Sequence, residues 1–459
     1  MFKACFLGLL FPFLLNGQET GLLRIAPDRA ERAAEAAVWG GVEEGYYKPT
    51  YAPVFQWSAG ADARVTRHGK TSSWTGALSL KQATGNKMYS SMFLEPEYYP
   101  FDILEFDKGT KSRQDFRLDF GYLSDFGYEW AAGLRASIQG AHVAKRQDIP
   151  HSSSALDVRL EPVLTYVMDD EVGFASAYRL CFRNETLRAT GDADRLFLDE
   201  GMRYGTYEVL EGNGAFPVRE MSHGLAAHLY SEDVSAGLNW TWKRGQAGAS
   251  GLGGYKFPGS SVSLFYEQVF QADQADHVLR ASYGRDRDQL RSNGTDGITA
   301  FSDRLSRDVA LKYEVRFLHG AVRRLGLALD GHRHVDRALY PRLDQVKRNL
   351  GSAALSSSFS FGPVDLDLEA LVGGGLWRDR GRSKDETTDT SYRRTEDWLR
   401  LMDYYMAPRV GAGGALTYHF SSPKGLYVRL DGRWLHALRK TATGGQNREI
   451  GNLTVGYDF

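Results

Sequence analysis

From Phe55 onward, apolar side chains recur at every second position: Phe55, Trp57, Ala59, Ala61, Ala63 and Val65, with Gln56, Ser58, Gly60, Asp62, Arg64 and Thr66 between them. Such alternation sends the two sets to opposite faces of a strand. The pattern returns in Trp74, Gly76, Leu78, Leu80, in Phe116, Leu118, Phe120, Tyr122, and in Tyr128, Trp130, Ala132, Leu134, Ala136, Ile138. It continues through Leu156 to Tyr166, Phe174 to Phe182, Leu238 to Trp242, Val309 to Phe317 and Leu366 to Val372, and ends on Leu453, Val455, Tyr457 and Phe459. Many segments run to about ten residues or beyond, with aromatic residues at the ends of the apolar stripes, as in a strand crossing a bilayer. A soluble sandwich or propeller uses strands of about four to eight residues.

The connections alternate as well. Short turns such as Arg67-His68-Gly69-Lys70, Ser124-Asp125-Phe126-Gly127, Met168-Asp169-Asp170-Glu171 and Phe361-Gly362-Pro363 take turns with long polar stretches near 83–112, 186–222, 244–260, 286–306 and 378–404. Short turns at one end and long loops at the other are the pattern of an outer-membrane barrel. Composition must be read through that periodicity. A mean hydropathy of −0.40 averages two opposite faces and the loops. Apart from the first residues, no apolar run approaches the roughly 20 residues of a membrane-spanning helix. A formal net charge of −1 offers no basic face, so nucleic acid is not an expected partner.

The expected fold is all-β: a transmembrane, antiparallel, up-and-down β-barrel of about 16–18 strands, or about 14 if some hairpins project as loops. Residues 1–17 have the layout of a secretory signal peptide, with Lys3 before an apolar stretch from Ala4 to Leu15 and cleavage expected near Gly17. Residues 18–50 are expected as a periplasmic or plug segment with a short N-terminal helix over Asp28 to Val38, although Trp39 to Pro49 could add a strand. The barrel is then residues 51–459. The expected location is the outer membrane, in contact with its lipid. The C-terminal Phe459, closing an alternating strand, resembles the signal read by the barrel assembly machinery. Cleavage would leave one cysteine, Cys181, and hence no internal disulfide.

Tyr98-Tyr99-Pro100-Phe101-Asp102-Ile103, Glu105-Phe106-Asp107-Lys108-Gly109 and Ala144-Lys145-Arg146-Gln147-Asp148 resemble motifs of an uncharacterised Bacteroidota outer-membrane β-barrel protein family, a domain of unknown function. The resemblance is clearest over the first half of the mature chain. It implies location and fold, and carries no activity to particular residues.

If the apolar set faces lipid, the residues between face the lumen. These include Asp115, Arg117, Asp119; Asp157, Arg159, Glu161; Lys312, Glu314, Arg316; Asp365, Asp367, Glu369; and Arg429, Asp431, Arg433. Facing lipid, each Arg or Lys would cost about 2–4 kcal/mol near the midplane. Mixed signs two positions apart suit a ladder of cross-strand pairs better than a filter for one substrate charge. Asp330, His332 and His334 stand at i, i+2 and i+4 of one strand, a donor set that could ligate a transition metal but is more simply read as hydrogen-bonded lumen polar groups near a loop. Pro162 inside a strand calls for a bulge or a rim position. Gly245 to Gly259 lacks the lysine of a phosphate loop and reads as flexible loop. No cofactor is expected. Tyr98, Tyr99 and Phe101 in the first long loop are candidate binding residues, available for a plug, a surface partner or a sugar, or simply for self-packing over the mouth.

Three functions follow in order. The first is passage of a small solute, alone or as an accessory of a nutrient uptake system. The second is a non-conducting binding or scaffold barrel that engages a surface lipoprotein or uptake receptor. A barrel enzyme comes last, because the remaining histidines are scattered and no Ser-His-acid set can be assembled from spacing, so an enzyme is not expected.

Overall fold

The computed structural model describes residues 32–459 except 70, 128, 148, 170–171, 190–195, 203–204, 208–213, 249–253, 295–296, 341–342, 382–394 and 443–444. The expected signal peptide and its cleavage near Gly17 lie outside the described residues.

The chain runs β1 (Arg32–Gly45), β2 (Phe55–His68), β3 (Ser72–Ser91), β4 (Asp102–Asp125), β5 (Trp130–Lys145), β6 (His151–Asp169) and β7 (Val172–Ala189). Two short strands follow, β8 (Phe197–Asp199) and β9 (Gly205–Tyr207). Then come β10 (Ala215–Ser231), β11 (Val234–Ala247), β12 (Tyr255–Gln271), β13 (Ala275–Gly294), β14 (Gly297–Phe317) and β15 (Val322–Ala338). Finally β16 (Asp344–Phe361) and β17 (Val364–Gly381) lead through helix α1 (Thr395–Met406) to β18 (Arg409–His419), β19 (Leu426–Ala437) and β20 (Asn447–Asp458). Each long strand pairs antiparallel with its neighbours in sequence, β7 passes directly to β10, and β20 pairs with β1. The result is a closed barrel of 18 strands, the upper of the two expected even numbers. β8 and β9 extend the sheet from the first residues of β4 and stand outside the ring.

The expected N-terminal helix is corrected by β1. Alanine-rich residues 32–38 are good helix formers, but here they are paired on both sides, to β2 and to β20. In hydrocarbon an unpaired strand edge leaves a row of backbone groups with no partner, so closure outweighs local propensity. The seam ends with Phe459 N donating to Ala34 O at 2.8 Å.

The expected long loops are also shorter than their polar stretches. β3 and β4 consume most of residues 83–112, and β13 and β14 leave only 295–296 between them. Those strands are 20, 24, 20 and 21 residues long, whereas about ten cross a bilayer. The excess projects beyond the apolar belt, where no lipid imposes an apolar outer face. Pro162 lies within β6 opposite Leu134, exposed on the lipid side, and register holds across it with no bulge. The pairing to β7 lapses at residues 161–162 and resumes at Val163–Ala177, as a residue without an N–H requires.

Outward alternation gives the belt. Leu118, Phe120, Leu311, Tyr313, Leu327 and Leu430 are all exposed on that face. Next to the short turns stand Tyr122, Phe126, Trp130, Phe361, Tyr418, Phe420 and Phe459, an aromatic girdle at one rim. Phe55, Trp57 and Trp434 face outward near the other rim. Large inward side chains are seated by glycines on adjacent strands. The Trp39 ring covers Gly60, where an added Cβ would come within 2.4 Å of it, and its Nε1 donates to Asp62 at 2.7 Å.

Arginine in place of Leu311, at the centre of the belt, should cost about 2–4 kcal/mol in urea unfolding from lipid vesicles. The folded protein should migrate differently on gels before and after boiling in detergent, and loss of that difference with recovery in the soluble fraction would contradict the barrel.

Candidate functional site

The mouth of the barrel at the long-loop end is filled from inside. Residues 92–101, between β3 and β4, fold inward rather than out into solvent. Phe93, Tyr99 and Phe101 pack on one another, with Tyr99 and Phe101 stacked at 5.4 Å, and against Phe216 of β10 and Phe257 of β12. Tyr99 and Phe101 are 2% and 3% exposed, so these two of the three candidate binding aromatics present no open surface. Tyr98 packs beside them, its ring under the Arg183 guanidinium at 4.1 Å and its hydroxyl donating to Glu220 at 2.9 Å.

Polar contacts tether the same loop to the wall. Glu185 of β7 accepts from Leu94 N and from the Tyr99 hydroxyl, both at 2.9 Å. Arg113 of β4 donates to Leu94 O at 2.6 Å, and Arg304 of β14 donates to Glu97 O at 2.6 Å and Tyr99 O at 3.2 Å. Each arginine thus occupies backbone carbonyls that would otherwise be stranded among aromatics. Burial away from water pushes the Tyr98 and Tyr99 phenols up, and neighbouring Glu220 and Glu185 add to it.

The second part of the plug is α1. Its Leu401 and Met402 pack with Met202, Ala338 of β15 and Val346 of β16. Tyr404 meets the Tyr47 ring at 4.9 Å, in a cluster with Leu371 of β17 and Leu435 of β19. One carboxylate joins the two parts: Glu97 accepts from the Tyr405 hydroxyl and from the Tyr51 hydroxyl at 3.4 Å. Desolvation, followed by Glu97, pushes Tyr405 up as well.

The inward faces carry charges that pair both across strands and along them. Glu161 of β6 receives Arg135 of β5 at 2.8 Å and Arg179 of β7 at 2.7 Å. On β14, Glu314 receives Lys312 at 3.1 Å and Arg316 at 2.6 Å. Asp367 meets Arg429 at 3.4 Å, and Glu369 meets Arg433 at 3.1 Å, both pairs spanning β17 to β19. Arg117 pairs with Asp119 at 2.7 Å, and Asp115 pairs with Arg113 at 2.7 Å. Asp157 meets Arg183 at 3.4 Å, Asp365 meets His419 at 3.0 Å, and Asp431 accepts from Asn452 at 2.8 Å. Arg159 shares the inward face of β6 with Asp157 and Glu161. The arrangement is a ladder of both signs.

The structure does not bring Asp330, His332 and His334 together on one point. His332 Nδ1 bonds Asp308 of β14, and His334 Nε2 reaches Asp336 at 2.9 Å beside Arg348. Asp330 accepts from Ser352 at 3.4 Å. The two imidazoles stack with ring centres 5.8 Å apart, and among the described residues no cluster has the geometry of a metal centre. One nitrogen of each imidazole is thus held by a separate carboxylate.

Asp330 and His332 instead line a recess in the lumen wall below the plug. Its volume is about 170 Å³, and small residues make the space: Ser263 on β12, Ser282 and Gly284 on β13, Ala310 on β14 and Ser352 on β16. Asp286, Asp308 and Arg409 complete its polar rim, and the Phe265 ring supplies an apolar surface. Arg409 and Asp286 line this recess although neither stood out in the sequence, and Gly245 belongs to β11. Gly245 is not loop but an inward residue of β11, where an added Cβ would lie 1.9 Å from the Phe257 ring that seats the plug. The one signal was its place two residues after Lys243, in phase with the polar set.

The profile of a family of unknown function, DUF6850, matches residues 66–459. The chain belongs to that family. No curated protein matches it. Among solved structures, the FrpB iron transporter of Neisseria meningitidis (F5-1 variant, apoprotein form) has a TM-score of 0.50 at 9% identity, over 96% of this chain and 82% of that one. The ferric-catecholate import receptor Fiu of Escherichia coli K12, in its closed form, gives 0.44 at 8% identity over 94% and 82%. OccAB4 of Acinetobacter baumannii gives 0.37 at 9% over 95% and 99%. At such identities the likeness is one of fold, that of an outer-membrane barrel.

Gly245→Ala should displace Phe257, loosen residues 92–101 to protease and cost about 1–3 kcal/mol in denaturant unfolding. The raised phenols of Tyr98, Tyr99 and Tyr405 give a pH dependence of fixed sign. Their contribution to plug stability is complete below the ordinary tyrosine value of about 10 and declines as pH rises above it. Ultraviolet titration should show them silent at about pH 10–11, after exposed tyrosines have ionised. Early, uniform ionisation would mean that the plug is open.

Proposed function

We propose that the protein is an outer-membrane barrel through which a small solute passes, alone or as an accessory of a nutrient uptake system, with the inward loops acting as its gate. The observation that carries this reading is the recess: an indentation of about 170 Å³ with a polar rim, lying in the lumen below a plug that the barrel's own loops build. A barrel of 16 to 18 strands is wide enough to leave an aqueous interior. The ladder of paired charges supports the same reading, since a wall of both signs stays wet without trapping one ion. A scaffold needs neither a recess nor a tethered plug. The Phe459 side chain, 75% exposed at the seam, supports recognition of the terminal strand by the barrel assembly machinery.

Planar-bilayer recording tests the proposal. Arg304→Ala removes the donor to Glu97 O and Tyr99 O, and Glu97→Gln removes the charge shared by Tyr51 and Tyr405. The unaltered protein should give rare, brief openings, and the double variant frequent and long-lived ones. A folded double variant without conductance steps would overturn solute passage and leave a closed binding barrel.

A further inference from the structure

On the outer wall, the row where the apolar belt ends carries arginines side by side. On β14 the lipid-facing positions run from Phe317 through Tyr313 and Leu311 to Val309, about the length of strand that crosses a bilayer. The next such position toward the long-loop end is Arg307. On β13 the same step leads from Tyr283 to Arg285, and on β15 from Leu329 past Gly331 to Arg333. Register makes Arg307 the direct partner of Arg285 on one side and of Arg333 on the other. All three are exposed. Direct cross-strand partners stand about 4.5–5.5 Å apart at Cβ, where like charges repel. Yet none of the three makes a hydrogen bond or ion pair with any described residue.

A second charged row, farther along the same three strands, shows what is missing. Arg287 of β13 donates to both oxygens of Asp303 of β14, at 2.9 and 3.2 Å, and Arg337 of β15 reaches that carboxylate at 3.5 Å. Asp303 is 6% exposed between its two cations. There a cation–anion–cation bridge spans β13, β14 and β15, whereas in the row at the belt the middle place is itself a cation, Arg307. The flanking partners of that row are Val262 of β12 and Asn349 of β16, so no acid stands beside it either. The anion that would complete it is not supplied by the described chain.

We propose that Arg285, Arg307 and Arg333 bind the phosphate of a lipid headgroup in the leaflet at the long-loop end, with its acyl chains lying down the belt over Val309 and Leu311. Guanidinium forks match phosphate oxygens, and a phosphate has enough of them to be shared among three arginines as Asp303 is between two. The apolar side fits as well: Val309 and Leu311, the next lipid-facing positions below Arg307, are 56% and 44% exposed. A soluble anion would use the arginines and leave that belt unused, whereas a phosphorylated lipid uses both. The site needs only the barrel and is independent of solute passage.

The test is native mass spectrometry of the purified full-length protein in neutral detergent. The probes are bisphosphorylated lipid A, the same glycolipid after chemical removal of its phosphates, and inorganic phosphate. Lipid A should bind about tenfold more tightly or better than its dephosphorylated form, as expected for loss of charge-assisted hydrogen bonds. A large excess of inorganic phosphate should not displace it. Arg307→Gln should reduce the preference, and the triple variant Arg285→Gln, Arg307→Gln, Arg333→Gln should erase it. Arg244→Gln, which alters an exposed arginine of β11 away from the row, should leave it intact. Arg307→Glu supplies the missing carboxylate from within, so it should lose lipid A and raise the unfolding temperature in lipid-free detergent. Heat-dependent gel mobility confirms that each variant is folded. Equal binding of the two glycolipids, displacement by inorganic phosphate, or a folded triple variant that keeps the preference would overturn the site.

Discussion

Backbone hydrogen bonding without water is the constraint on which the rest of the structure depends. In hydrocarbon each N–H and C=O must find a protein partner, so a sheet that enters lipid must close on itself. The pairing of β1 with β20, from Glu35–Asp458 to Gly45–Arg448, is that closure. It explains why an alanine-rich segment becomes a strand and why Pro162 can lapse the ladder only locally, between intact pairs on either side. Side-chain direction follows from it as well, since a closed antiparallel ring fixes an outside and an inside for every residue.

The inside is then organised by size before charge. Glycines at 60 and 245 are paired with Trp39 and Phe257, so that large rings lie along the wall instead of crossing the lumen. Where small residues cluster without a ring to cover them, at Ser263, Ser282, Gly284 and Ser352, the recess remains. Charged residues take many inward positions, and those that pair across one or two strands order the wall at a worth of about 0.2–1 kcal/mol a pair. The plug rests on this wall through arginines aimed at backbone carbonyls.

What the sequence made legible follows the reach of each interaction. Alternation at Phe116 to Tyr122 or Val309 to Phe317 records a contact with lipid that every strand makes for itself, so strands and their lipid faces could be read directly. The inward charges could be read from the same phase. Strand length could not, because beyond the belt β13 and β14 lose alternation while keeping their pairing. The inward turn of Tyr98, Tyr99 and Phe101 depends on Phe216 and Phe257, more than a hundred residues away, and no local pattern records that. The histidines on β15 failed as a joint site because Asp308 and Asp336 were nearer claimants, one across a strand and one on its own. Arg409 was silent because its partner, the Tyr47 hydroxyl, lies 362 residues away in the chain.

Glu97 gives the gate its character. Tyr51, from the connection between β1 and β2, and Tyr405, from α1, both donate to this one carboxylate on a third segment, and their hydroxyls lie 3.2 Å from each other, so displacing any one segment costs the other two a hydrogen bond. Loss of one contact therefore weakens the hold on all three segments. Such a mouth has few intermediate widths. As the gate proposed above, it would act as a latch with two positions and no graded widening of the bore.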